Sequence, residues 1–202
     1  MVKKDQPTKE RILEAAKEVF HRKGFDGARM QEIADTAGIN KALLHYYFCD
    51  KETLFAEVFK TTFENVVMFG MDVFSRNIPF EEKLSIFLDF HISFLRDNSF
   101  IPLFILNGIY ERPDQLREMM IKNLEIPHLM MGNIMKGLQK EGIEVDSPLQ
   151  LYINVLSLSI FPVVAKPILS RVFGLSEEQM NAFYEERKKT LPHFIMNAIR
   201  KP

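Results

Sequence analysis

One cysteine among 202 residues leaves no partner for an internal disulfide, and Cys49 standing alone agrees with a reducing compartment. Long apolar runs are as scarce. Every hydrophobic stretch is broken by a polar or charged residue well short of the ~20 residues needed to cross a bilayer, so no transmembrane helix is expected. The opening Met-Val-Lys-Lys-Asp-Gln-Pro leads straight into an amphipathic pattern without an apolar signal core, and a cytoplasmic location is the expectation. No segment sustains the two-residue alternation of a strand. Positive charge is not in excess either, since 26 Lys and Arg face 27 Asp and Glu. Any nucleic-acid contact must therefore come from a few placed cations and helix ends rather than from a basic field. The residue patterns of chemistry are missing too. There is no metal-ligand spacing of His and carboxylates, no Ser, His and Asp arrangement and no phosphate loop, so no catalytic residue, metal or cofactor is expected.

Apolar spacing of three and four recurs throughout, and the chain reads as all-α. A first helix opens after Pro7 with Thr8 as its cap, buries Ile12, Ala15, Ala16, Val19 and Phe20, and ends at Gly24. A short second helix over about 30–37 turns Met30, Ile33, Ala34 and Ala37 to one face. Gly38 then supplies the left-handed position after it. Asn40 is a preferred N-cap for a third helix over about 41–48, with Ile39 and Leu44 placed as a hydrophobic staple. Asp50 caps a fourth helix from Lys51 to about Phe74. Two short helices joined by a glycine-containing turn of three or four residues are the helix-turn-helix pattern. Further helices are expected at about 80–97, 99–111, 113–141, 147–173 and 176–200. Capping boxes stand at Ser147–Gln150 and Ser176–Gln179, and Pro127, Pro162, Pro167 and Pro192 should kink or break the spans that hold them. The expected organisation is a helix-turn-helix domain at 1–54 followed by a larger helical bundle at 55–202.

With Leu44 and Phe48 facing inward, 100° per residue turns Ala42, His45, Tyr46 and Cys49 outward, with Leu43 on the flank. A solvated helix gains nothing from a Tyr and a His beside a small Ala on its outer face, whereas a helix in a major groove needs that polar reach and close approach. Lys41, one position past the cap, reaches a base edge or a phosphate. Arg29 and Lys51 each lie in the first turn of a helix, where a cation opposes the macrodipole, and an anionic partner explains them better than stability does. Tyr47, at an intermediate wheel position, fits packing and contact equally well.

The run Ala37-Gly38-Ile39-Asn40-Lys41-Ala42-Leu43-Leu44-His45-Tyr46-Tyr47-Phe48-Cys49-Asp50-Lys51-Glu52-Thr53-Leu54, with Gln31-Glu32-Ile33-Ala34 and the helix before it, resembles the DNA-binding domain of the TetR/AcrR family. The resemblance implies that the second helix crosses the DNA backbone and the third reads the major groove. Lys41, Ala42, Leu43 and His45 then match base-facing positions, and Tyr46, Tyr47 and Lys51 match positions that mostly hold phosphates. Asn40 stands where the family usually has Ser or Thr, Ala42 where it often has Gly, and Ala28 and Arg29 where it has Thr or Ser. Arg29 is the expected replacement for the missing hydroxyl.

Fifteen of the eighteen Phe follow Leu54. Core packing accounts for most of them, yet this much aromatic and Met surface in a helical bundle also suits a cavity for a small apolar or amphipathic ligand, and the resemblance implies an effector site. Phe87, His91, Phe94, Phe104, Asn107, His128 and Met131 are the candidate lining, with His91, Asn107 and His128 as polar handles. The last two helices carry apolar residues on more than one face, as a second subunit would require. The family resemblance implies a homodimer through them, its two heads reaching half-sites of a palindromic double-stranded operator about 34–36 Å apart or a multiple of that. The leading expectation is a sequence-specific regulator, a repressor released by its effector. The competing readings are a helical protein-interaction module that does not bind DNA, an enzyme using His91 or His128 as base, and a redox switch at Cys49.

Overall fold

The computed structural model describes residues 6–103 and 125–200, with side chains at all of these positions but 6, 63 and 125–130. The described residues hold no strand, and their helices are α1 Gln6–Gly27, α2 Met30–Thr36, α3 Lys41–Tyr47, α4 Lys51–Ser75, α5 Phe80–Asp97, α6 Glu125–Lys140, α7 Pro148–Val164, α8 Lys166–Phe173 and α9 Glu177–Ile199, with residues 100–103 helical as well. α1 starts three residues earlier than a cap at Thr8 would have it. Pro7 occupies its first turn, where a missing amide costs nothing, and Thr8 follows inside the helix. Gly24, at φ 68° and ψ 179°, breaks the helical path as anticipated, with one further turn running to Gly27.

Two hydrophobic cores form. The first gathers Ile12, Ala16, Phe20, Ile33, Leu44 and Phe48 from the three short-loop helices, and it continues past Leu54 to Phe55, Val58 and Phe59 of α4 and to Phe100 and Ile101. The second joins Val73 and Phe74 at the far end of α4 to the inward faces of α5, α6, α7 and α9. α4 is continuous over 25 residues, about 37 Å at 1.5 Å per residue, so one rod belongs to both cores. Lys83, only 7% exposed, donates to the Phe74 carbonyl at 3.3 Å, placing a cation at the C-terminal turn of α4. Pro79 gives α5 no side-chain cap, and the Glu141 carboxylate accepts the Phe80 amide instead.

The span expected at 147–173 is two helices, bent by 64°. Pro167 explains the break: it has no amide to give the Val163 carbonyl, and its ring collides with that turn. Pro162 does not break α7. The carbonyl it leaves without a partner, that of Leu158, accepts from Arg187 Nε and Nη2 of α9 at 2.9 and 2.7 Å. The Pro162 carbonyl itself, near the helix end, accepts from the Tyr184 hydroxyl at 3.2 Å. α9 also runs unbroken through Pro192. Among the described residues no single helix is long and apolar enough to cross a membrane.

Two outcomes follow from these contacts. Arg187→Met leaves the part-buried Leu158 carbonyl without its protein donor and should cost about 1 kcal/mol of unfolding free energy, measured by denaturant titration. His91 is 5% exposed, and burial holds its imidazole down at about 4, against about 6.5 in the unfolded chain. Between these values the unfolded chain takes up a proton that the folded chain refuses, so stability is full above pH 6.5 and falls as pH drops toward 4. The loss should be about 3 kcal/mol at ~1.36 kcal/mol per unit, and comparing wild type with His91→Leu at pH 7 and pH 4.5 isolates it.

Candidate nucleic-acid interface

The turn between α2 and α3 is built from backbone hydrogen bonds that a single glycine permits. Gly38, at φ 65°, lets its own amide reach the Asp35 carbonyl at 3.1 Å and the Ile39 amide reach that of Ala34 at 3.0 Å. This double closure is the Schellman arrangement at a helix C-terminus. Arg11 of α1 donates from Nη2 to the Ala37 carbonyl in the same turn. α3 then starts on Asn40, whose side-chain oxygen accepts the Leu43 amide at 2.7 Å. Glu32 of α2 takes Arg22 and Lys23 of α1 at 2.7 and 2.8 Å, and those hydrogen bonds and charges, Lys23 foremost, hold its carboxyl below the ordinary range.

This scaffold buries Leu44 and Phe48 and leaves Lys41, Ala42, Leu43, His45 and Tyr46 exposed, Tyr46 to 78%. The His45 Nδ1 lies 3.0 Å from the Cys49 carbonyl. A carbonyl only accepts, so Nδ1 carries the hydrogen and Nε2 is the nitrogen left for an outside donor. Tyr46 and Tyr47 meet edge to face at 5.5 Å, and Tyr47 is half-buried against the first core. Arg29 is exposed at the start of α2 and makes no side-chain cap. The Asp50 carboxylate accepts the Thr53 amide at 2.7 Å and is held below its ordinary range by Thr53. Lys51 is differently placed from these exposed groups. Its ammonium donates to the carbonyls of Phe25 at 2.9 Å and Ala28 at 3.3 Å, 4.4 Å from the centre of the Phe25 ring. It thereby ties the start of α4 to the link between α1 and α2. Arg11 and the Arg22–Lys23–Glu32 cluster were not anticipated. Arg11 and its partner are 26 residues apart, and nothing local in the sequence marks the pairing.

In the second core, Phe87 and Met131 line a wholly apolar cavity together with Phe74, Phe80, Tyr152, Val155, Leu156 and Ile195. It holds about 30 Å³, room for roughly one water. His91 sits one turn beyond Phe87 with the two rings stacked at 5.3 Å, and Phe94, a turn further, packs against both cores. Phe104 and Asn107 lie outside the described residues, as does the side chain of His128 in α6.

Residues 12–58 match the sequence model of the family described as bacterial regulatory proteins, tetR family. The chain is similar to the biofilm operon icaADBC HTH-type negative transcriptional regulator IcaR of Staphylococcus epidermidis, 24% identical over 93% of this chain and 98% of that protein. Among solved structures it resembles the fatty acid degradation regulator FadR of Bacillus halodurans, with a TM-score of 0.72 at 18% identity over 97% and 98% of the two chains. It also resembles the transcriptional regulator FadR of Bacillus subtilis in complex with stearoyl-CoA, with a TM-score of 0.70 at 16% identity over 95% and 99%. Residues 12–58 thus carry a domain of the tetR type of bacterial regulatory proteins, and nearly the whole chain shares the fold of these solved regulators.

Proposed function

We propose that the chain is a cytoplasmic homodimeric repressor that reads a palindromic operator with α3 and releases it when an apolar or amphipathic effector enters the second core. The carrying observation is the α3 face itself: a capped helix, fixed by the Gly38 turn, that presents Lys41, Ala42, His45 and Tyr46 to the outside. Ala42 lets the helix approach the groove, Lys41 and the His45 Nε2 reach base edges, and Tyr46 and Arg29 reach phosphates. The staphylococcal relative's name as a negative regulator supports repression. The stearoyl-CoA named for the Bacillus subtilis neighbour supports an effector with a long apolar part.

A second copy completes the apolar face left open on the last helices. Leu149, Ile153 and Phe161 follow one stripe of α7 at 65%, 46% and 63% exposure, and Phe194 of α9 is 61% exposed. Apolar side chains this open in a row are a subunit contact in the making. The two working units divide within α4, whose first turns belong to the head and whose last turns wall the cavity. The cavity is nearly closed, so an effector must spread the helices around it, and the state it stabilises differs from the free one in the path of α4. A ligand shifts the operator equilibrium by its differential affinity for the two states, typically ~1–3 kcal/mol.

Operator-binding titrations across salt concentrations test the interface. Arg29→Ala should weaken binding to all sequences and lower the salt slope by about one, whereas Lys41→Ala or His45→Ala should cost ~1–3 kcal/mol at the preferred site and relax the choice of base. Lys51→Met should lower the melting temperature and leave the salt slope unchanged, because its ammonium is engaged inside the protein. Salt-independent binding by wild type would overturn the whole reading. In sedimentation, the pair Ile153→Glu and Phe194→Glu should convert a micromolar dimer into a folded monomer.

A further inference from the structure

The inward stripe of α5 runs through Phe80, Leu84 and Phe87, which line the cavity, and on through His91 and Leu95 to Asn98. The stripe changes character after Phe87. The His91 imidazole is 5% exposed and stacked on Phe87, and its Nδ1 is buried without a hydrogen-bond partner. Asn98, 3% exposed, donates from Nδ2 to the Phe94 carbonyl at 2.8 Å, which identifies its other side-chain atom as oxygen, and that Oδ1 is buried without a partner as well. These are the two orphaned side-chain polar atoms among the described residues, one within α5 and the other at its C-cap. A buried polar atom with no partner destabilises the fold, so two on the stripe that leads out of an apolar cavity call for a partner from outside the chain.

We propose that His91 Nδ1 is the anchor for the polar end of the effector, and that the effector is an uncharged amphipath: an apolar chain carrying a hydroxyl, amide or ester-type carbonyl. This rests on the effector reading given above. The chain lies in the cavity between α5, α6 and α7, the polar group meets His91, and Asn98 offers a further acceptor two turns along, next to Phe100 and Ile101 of the first core. The neutral imidazole serves either kind of group, since Nδ1 donates in one tautomer and accepts in the other. A carboxylate finds no counterpart there. Burial keeps His91 uncharged at neutral pH, and Lys83, the one buried cation among the described residues, is occupied at the Phe74 carbonyl. An unpaired buried carboxylate is far costlier than a hydroxyl.

Calorimetric titration of the full chain with 1-nonanol and with nonanoate, alongside thermal melts, tests the assignment. Wild type should bind nonanol at least about tenfold more tightly than nonanoate. His91→Leu and His91→Phe should lose about tenfold in nonanol affinity, equivalent to ~1.4 kcal/mol, while His91→Asn, which keeps a polar atom near the Nδ1 position, restores part of it. The same two apolar replacements should raise the melting temperature of the free protein by about 2–6 °C, because they remove an orphaned group. A merely structural histidine would lower it. Nonanol binding unchanged in His91→Phe, a lowered melting temperature in both apolar variants, or nonanoate binding that is tighter and lost in Lys83→Met would each overturn the proposal. If wild type binds neither compound, the effector reading falls with it, whereas operator binding stands or falls on its own titration.

Discussion

Recognition and regulation are joined above all by one constraint, the continuity of α4. Its first turn is pinned by Lys51 to the carbonyls of Phe25 and Ala28, its middle supplies Phe55 and Phe59 to the first core, and its end supplies Val73 and Phe74 to the second. α4 holds no proline or other kink-forming interruption over its 25 residues, so a displacement at one end is carried to the other through a continuous backbone hydrogen-bond ladder. The rings around its upper half strengthen the joint. Phe55 meets Phe20 at 4.8 Å and Phe100 at 6.1 Å, and His21 of α1 lies 6.2 Å from Phe100. Phe100 comes from the segment just after α5, so the cavity's own helix also reaches the reading head.

The sequence carried its local chemistry openly. Gly38, Asn40, Asp50 and Ser176 each stand where a turn or cap demands that residue type, and the structure shows the hydrogen bonds that each implies, including both halves of the Ser176–Gln179 box. α5 fell at the expected residues because its apolar period is unbroken between Pro79 and Asn98. What stayed hidden was pairing at long range. The first-turn position of Lys51 marks a cation in need of a partner, and the structure gives it two carbonyls, those of Phe25 and Ala28, 26 and 23 residues away. No periodicity encodes such a contact, because its partners are backbone carbonyls in the last turn of α1 and in the link after it, and any residue type carries a carbonyl.

The prolines show the same division. Pro162 and Pro167 look alike in sequence, five residues apart in an apolar run, and either one would be expected to interrupt it. The difference lies in a residue far along the chain: Arg187 supplies the donor that Pro162 denies to Leu158, while nothing comparable relieves the clash of Pro167, and the helix turns there. Burial of its guanidinium pushes the Arg187 pKa down from its usual value, although arginine stays charged throughout the physiological range. The cavity is similarly half legible. Phe87 and Met131 could be picked out by residue type, whereas Leu156 and Ile195 enter the wall only through the angle at which α7 and α9 cross α5.

The Arg187 clamp has a mechanical meaning. Because it bonds across helices to a carbonyl that proline has freed, and because the Tyr184 hydroxyl holds the Pro162 carbonyl a turn further on, α7 and α9 are joined by polar contacts on two adjacent turns. A ligand seated in the cavity has this hydrogen-bonded pair on one side and α4 and α6 on the other. In the proposed dimer, a core expanded against that pair acts on α4 instead, and through it on the spacing of the reading heads.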